Sequence, residues 1–402
     1  MTWMFRLSAT FKEKINFQRL QHALNSIIKR FPYFRVNRKS GLFWYFWDIN
    51  LGNPKVIGDS KYPCGKMPIH KKGIFPFRVR IYQNRIAVEF HHSITDGTGG
   101  MNFIRALVAE YISSGGIHVH NWLDIPHTKT KADPEEFEDA SKKYFVPSVP
   151  KPEDQARAFQ LPNKLAPKGI MYVTTAIIST SDILKLSRSY NVSLTEFIAA
   201  VLIDVFQEII FSYPSDKIKK YLKPVRIVIP VNARKYFPSK TMRNFFYTVT
   251  PGIDPRLGKY SLNEIIKIVY HYMRAEINDK NLGKQMKRNV HYELHPLIRI
   301  IPLFLKKLLL QIIYPFLGEN KTTCALSNIG QVIMPEELNQ HIERFEFMAS
   351  PTRINKITCA VVSYGDNLYM TFTRIFNNPI IEKIFLSRLV KMGIKVKIET
   401  NY

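Results

Sequence analysis

EFHHSITDGTGG, residues 89–100, sets two histidines directly after an apolar run and follows them with an aspartate and a glycine within five residues. Upstream, FRVRIYQNRIAVEFHH reads as a hairpin turning near Gln83 and Asn84. Downstream, TGGMNFIRALVAEYI reads as a helix opening just after Gly97. The quoted stretch is therefore a strand end handing over to a helix. Successive strand side chains point to opposite faces. Extending Ile86, Val88 and Phe90 by two reaches His92 on the core side, whereas His91 falls in line with Arg85, Ala87 and Glu89. The two rings diverge, which argues against a two-histidine metal site. Asp96 can accept the loop's own amides, cap the next helix or pair with an arginine from another domain, and Gly97 permits a backbone conformation that other residues resist. Taken singly, His92 reads as a satisfied core histidine and Asp96 as a helix cap. Together at a glycine-rich strand end they describe a site that holds one imidazole nitrogen and leaves the other for a substrate proton.

The alternation of strand and helix recurs along the chain. The N-terminal MTWMFRLSAT lacks the apolar core of a secretory signal and starts inside a strand, with Trp3, Phe5 and Leu7 alternating against Met4, Arg6 and Ser8, so a short further segment is expected before residue 1. Asn16 caps a helix over 16–31 that Pro32 stops, and strands follow near 33–37 and 42–47 with Ser40-Gly41 at the turn. Residues 114–168, proline-rich and carrying the acidic DPEEFEDA, read as a connection between two domains, 1–165 and 166–402. Beyond it come the strand GIMYVTTAII, a helix over 182–190 capped by Ser181, and capping boxes at SLTE (193–196) and SLNE (261–264) before long helices. VRIVIPV and TTCALSNIG are strands, and a hairpin turning at Gly365 and Asp366 precedes the last helix, IIEKIFLSRLVKMGI. The expected class is α/β (α+β), two similar domains with a mixed sheet flanked by helices in each.

Composition narrows the function classes. A chain of 402 residues with 46% hydrophobic content buries sizeable cores. The net charge of +26 fits an anionic partner, whether nucleic acid, a lipid surface or a phosphorylated small molecule. Lysine and arginine are dispersed, the aromatics fall at core periodicities, and no nucleic-acid-binding module is recognisable, so nucleic acid is the weakest of the three. Cys64, Cys324 and Cys359 show no CxxC spacing, so neither a disulfide framework nor a zinc site is indicated, and a reducing cytoplasm fits. HPLIRIIPLFLKKLLLQIIYPFLG, 295–318, is interrupted by Arg299, Pro302, Lys306, Lys307, Gln311 and Pro315, short of the roughly 18 to 20 apolar residues a span requires. It reads as a buried or half-buried helix near 297–314, with a helix resting on anionic lipid as the alternative.

HHSITDGTGG resembles the HHxxxDG signature of the chloramphenicol acetyltransferase-like superfamily. PVNARKYFPSKTMRN, 230–244, is similar to the arginine-bearing strand end and following asparagine of its alcohol acetyltransferase branch, and LSNIG, 326–330, to that branch's SNxG strand. With the opening KRFPYFRV and GLFWYF, the resemblance covers nearly the whole chain. It implies two such domains with an active-site tunnel between them, and a CoA-dependent acyltransferase moving an acetyl or short acyl group from acetyl-CoA or another acyl-CoA to an alcohol hydroxyl. It implies His92 as general base, grouped with Asp96 and Gly97 in the catalytic motif and supported by His91 and Arg234, without an acyl-enzyme, a metal or a resident cofactor. Asp96 is then the structural partner of Arg234. Ser327, Asn328 or Asn244 supplies the oxyanion donor, and Lys235, Lys240 and Arg243 are candidates for the CoA phosphates. The expected partners are a small acceptor alcohol or amine and acyl-CoA, with no nucleic acid, in the cytoplasm, with peripheral membrane contact through 297–314. Two competing readings keep the fold: a condensation-type enzyme using a carrier-protein-bound donor or an amine acceptor, and a non-catalytic protein bound at a membrane surface.

Overall fold

The computed structural model describes residues 4–150, 152–313 and 319–402. Two mixed sheets, each covered by helices, hold two apolar cores, in agreement with the expected class. The first sheet has five strands in the spatial order Ile342–Ala349, Met4–Phe11, Arg85–His91, Phe77–Tyr82 and Val56–Gly58. The helices Phe17–Ile27 and Gly97–Ser113 pack on it. The second runs Gly252–Ile253, Val225–Asn232, Cys324–Gln331, Ile357–Tyr364, Asn367–Arg374, Tyr172–Ser179 and Val396–Thr400, with Phe246–Val249 also pairing to Val225–Asn232. Its core is closed by Leu194–Phe211, Leu262–Glu276 and Ile380–Lys391.

Two strands join these bodies. Ile342–Ala349 crosses from the second half of the chain to run antiparallel beside Met4–Phe11, so the first sheet draws a strand from beyond the 165/166 division. Ile357–Tyr364 is buried along its whole length: Cys359 and Val361 enter one core, while Ala360 and Val362 enter the other. Met4–Phe11 is likewise buried on both faces. Its alternation holds, but the polar face turns inward because Arg6 pairs with Asp59 at 2.5 Å and Glu89 at 3.3 Å. Trp3 lies outside the described residues.

Several local expectations shift. The first helix ends at Ile27 and tightens into 3₁₀ turns at Ile28–Arg30 and Pro32–Phe34, burying Phe31 and Phe34, so the hairpin strands begin later, at Val36–Ser40 and Tyr45–Ile49. Ser179, not Ser181, caps the helix Thr180–Ser189, its hydroxyl accepting from the Asp182 amide at 3.3 Å. Both capping boxes form. The acidic connection is firmly docked: Glu136 accepts both arms of Arg30 at 2.7 and 2.8 Å, and its carbonyl accepts from the Met242 amide. The expected helix near 297–314 is two, Pro296–Ile300 and Leu303–Ile313, broken at Pro302, which has no amide hydrogen to continue the ladder. Residues 314–318 of that segment lie outside the described residues. Phe304 and Leu308 face solvent instead of a core.

Candidate active site

The strand Arg85–His91 stops one residue before His92, and a turn carries the chain to Asp96, the N-cap of Gly97–Ser113. The two carboxylate oxygens of Asp96 divide the work. Oδ1 accepts from the Thr98 and Gly99 amides, each at 3.1 Å, and so caps the helix. Oδ2 accepts from Arg234 Nη1 at 2.8 Å and from the Phe245 amide at 2.9 Å, both brought by the second half of the chain. Arg234 in turn gathers the loop 241–245: its Nε donates to the Thr241 carbonyl at 3.0 Å and its Nη2 to those of Thr241 and Arg243 at 2.8 and 2.7 Å. Of the three roles open to Asp96, it caps the helix and pairs with an arginine, and the further amide it accepts, that of Phe245, comes from the second half of the chain and not from its own loop.

That loop carries Asn244, which faces His92. The Asn244 amide nitrogen donates to the His92 backbone carbonyl at 2.7 Å, which turns its Oδ1 toward His92 Nδ1 at 3.0 Å. An amide oxygen only accepts, so Nδ1 is the donor, and in the neutral ring the lone pair falls to Nε2. The ring is held edge-on to Phe5, centroids 5.1 Å apart, and tilted against Phe246 at 5.4 Å. Asn244, expected among oxyanion donors, meets the histidine through both amide atoms and also lines a recess.

His92 stands where two recesses meet. One, of about 620 Å³, is lined by His92, Thr98, Asn232, Lys235, Ser327 and Asn328, among others. The other, of about 320 Å³, is lined by His92, Asn244, Phe246, Gln285 and Arg288. Ser327 reaches the wall as expected. Asn328 reaches it too, but its amide nitrogen donates to Thr195 Oγ1 at 3.0 Å and its oxygen accepts from the Gly330 amide at 2.9 Å, which gives it a bracing role. Of the three phosphate candidates only Lys235 is on the wall. Lys240 is paired with Asp133 at 2.6 Å, and the exposed Arg243 contributes its carbonyl to Arg234. Thr98 and Asn232 were overlooked although each lies within two residues of a residue singled out. Arg288 lies on a helix whose sequence shows nothing to mark it.

His91 turns away from both recesses, its Nδ1 2.7 Å from Ser93 Oγ. Burial, reinforced by the charges of Arg38 and His92, pushes its pKa down to about 4. Gly97 does not use its backbone freedom, its φ being negative; a Cβ there meets Ile329 Cγ2 at 3.0 Å, so the glycine admits the wall strand. Among the described residues no cluster of three or more His, Cys, Asp or Glu is placed to hold a metal ion.

No protein-family model matches the sequence, and no curated protein matches it. Solved structures do match. Polyketide synthase associated protein 5 from Mycobacterium tuberculosis is 13% identical over 97% of this chain and 93% of that one, with a TM-score of 0.60. The epimerization domain from the third module of tyrocidine synthetase B is 10% identical over 97% and 90%, TM-score 0.60. TRI101 of F. sporotrichioides, solved with coenzyme A and T-2, is 10% identical over 100% and 96%, TM-score 0.60. At such identities the likeness is one of fold: two sheet-containing bodies flanked by helices.

Proposed function

We propose that the protein is an acyltransferase that moves an acetyl or other short acyl group from acyl-CoA to an alcohol, with His92 as general base. The observation that carries this reading is the contact between Asn244 and His92: the amide oxygen lies 3.0 Å from Nδ1, which favours the tautomer with Nε2 as the basic nitrogen, on a residue that lines both recesses. Two substrates entering from opposite sides bring a hydroxyl and a thioester carbonyl to the same ring. Nε2 takes the hydroxyl proton as the oxygen attacks the carbonyl, the tetrahedral oxyanion forms, and its collapse expels the CoA thiolate, which recovers the proton from the imidazolium. A base so placed is worth about 10² to 10⁴ in rate. Ser327 is the wall hydroxyl suited to the oxyanion, and Lys235 is a cation at the recess for a phosphate. The coenzyme A of TRI101, a protein of the same fold, supports the choice of donor.

The test is release of free CoA thiol from acetyl-CoA by the purified protein, over a panel of alcohols and amines, beside His92→Ala. Acceptor-dependent release that the substitution abolishes is the expected result. A wild type silent across the panel overturns the free-CoA reading and turns attention to carrier-protein donors; equal activity in the variant removes His92 from the reaction.

A further inference from the structure

The helix Leu303–Ile313 is turned inside out. A surface helix of a globular protein buries its leucines and exposes its lysines. Here Lys306 is 8% exposed, while Phe304 and Leu308 are 68% and 57% exposed. The hairpin Val36–Ser40/Tyr45–Ile49 holds it this way. The Leu303 amide donates to the Leu42 carbonyl at 2.8 Å, and the Lys306 ammonium donates to the Phe43 carbonyl at 3.0 Å while lying 3.5 Å from the centroid of the Trp44 ring. Anchored by its cation, the helix presents its apolar side outward. The hairpin tip extends that face with Leu42, which is 70% exposed, and with Trp44 and Phe46. Segments 263 residues apart in sequence thus meet here, each with exposed apolar side chains.

We propose that this face docks the protein on an anionic lipid surface. Charge chooses the occupant. Residues 279–313 carry seven Lys and Arg against two acidic residues, and the chain as a whole carries +26. A second copy brings the same positive charge against itself, whereas anionic headgroups neutralise it. The side chains suit the task. Lys307 springs from the apolar stripe with its ammonium 5.3 Å from the Tyr45 ring, so its stem can lie among acyl chains while its charge stays at headgroup level. Among the described residues no helix is long and apolar enough to cross a membrane, so the contact is with the surface. The inference is independent of acyl transfer, and its test reads no turnover.

The full chain is floated with phosphatidylcholine vesicles, with and without phosphatidylglycerol, at low and high salt, beside the double variant Phe304→Ser/Leu308→Ser. Both substitutions sit on exposed positions, and an unchanged circular dichroism melt shows the fold is kept. The wild type is expected to float with the phosphatidylglycerol vesicles, about tenfold or more less with neutral ones or at high salt, and the variant to lose about tenfold or more of the binding. Absence of flotation, equal flotation with neutral vesicles, or undiminished flotation of the variant each overturns the proposal. So does a wild-type dimer in sedimentation velocity that the variant dissociates without any vesicle binding, which assigns the face to a second copy.

Discussion

Two buried carboxylate–guanidinium pairs, Asp96 with Arg234 and Glu382 with Arg374, share their chemistry and differ in what else they hold. Asp96 accepts three backbone amides besides the arginine, and Arg234 donates to the carbonyls of Thr241 and Arg243. Glu382 and Arg374 approach to 3.0 Å with 3% and 1% of their side chains exposed, yet Glu382 Oε2 and the three guanidinium nitrogens make no well-formed hydrogen bond among the described residues. Arg374 lies instead near the rings of Tyr172 and Tyr402, at 4.7 and 4.8 Å, and burial raises the pKa of Glu382. The first pair is a joint that sets the distance between two halves of the chain; the second is a packing arrangement within one of them. A buried ion pair is therefore informative about function through the backbone groups it organises, more than through its own charge.

The difference can be attacked in order of effect. Asp96→Ala is expected to cost about 3–5 kcal/mol in urea denaturation, since it strands the Arg234 charge and three amides at once; a loss under about 1 kcal/mol, the value of an exposed pair, ends the comparison. Asp96→Leu with Arg234→Met removes both charges but leaves amides and carbonyls unpaired at about 1–3 kcal/mol for each group that stays buried, so the double variant is expected to remain clearly destabilised. Asn244→Ala leaves the joint standing and frees the His92 ring. Turnover should drop by part of the roughly 10² to 10⁴ that a general base contributes, with the melt nearly unmoved; unimpaired turnover shows that the ring needs no such support. Arg374→Met with Glu382→Leu should fall within about 1 kcal/mol of wild type or exceed it. A loss matching that of Asp96→Ala makes this pair a joint as well.

What could be read beforehand follows from the range over which a signal acts. Strand alternation, the two capping boxes and the turn within HHSITDG are local, and they are found where the residues indicate, give or take the 3₁₀ turns around Pro32. The pairing of Asp96 with Arg234 spans 138 residues and was reached through resemblance, because no periodicity encodes it. Asn244 was expected, through the resemblance, among the oxyanion donors; its contact with His92, 152 residues away, is a tertiary pairing that no local pattern announces. Lys306 shows the limit from the other side. Amphipathic spacing reports which residues share a helix face and is silent on which face a neighbouring hairpin will take, and here Trp44 and the Phe43 carbonyl took the cation.

The smallest effect belongs to His91, whose neighbour in sequence is the proposed base. Held by Ser93 and facing Arg38, its ring has a folded pKa of about 4 against an ordinary 6.5. Between those values the unfolded chain takes up a proton that the folded chain refuses, so this contribution to stability is complete above pH 6.5 and is lost as pH falls toward 4. The ring is partly solvated, which screens the effect to about 1 kcal/mol or less. His91→Asn removes the titration while retaining a polar group beside Ser93. Urea midpoints at pH 7 and pH 5 should therefore differ less in the variant than in the wild type. If the two proteins lose the same stability on acidification, the burial of His91 has no thermodynamic consequence, and the adjacent histidines are distinguished by position alone: one aimed at the recesses, the other turned from them.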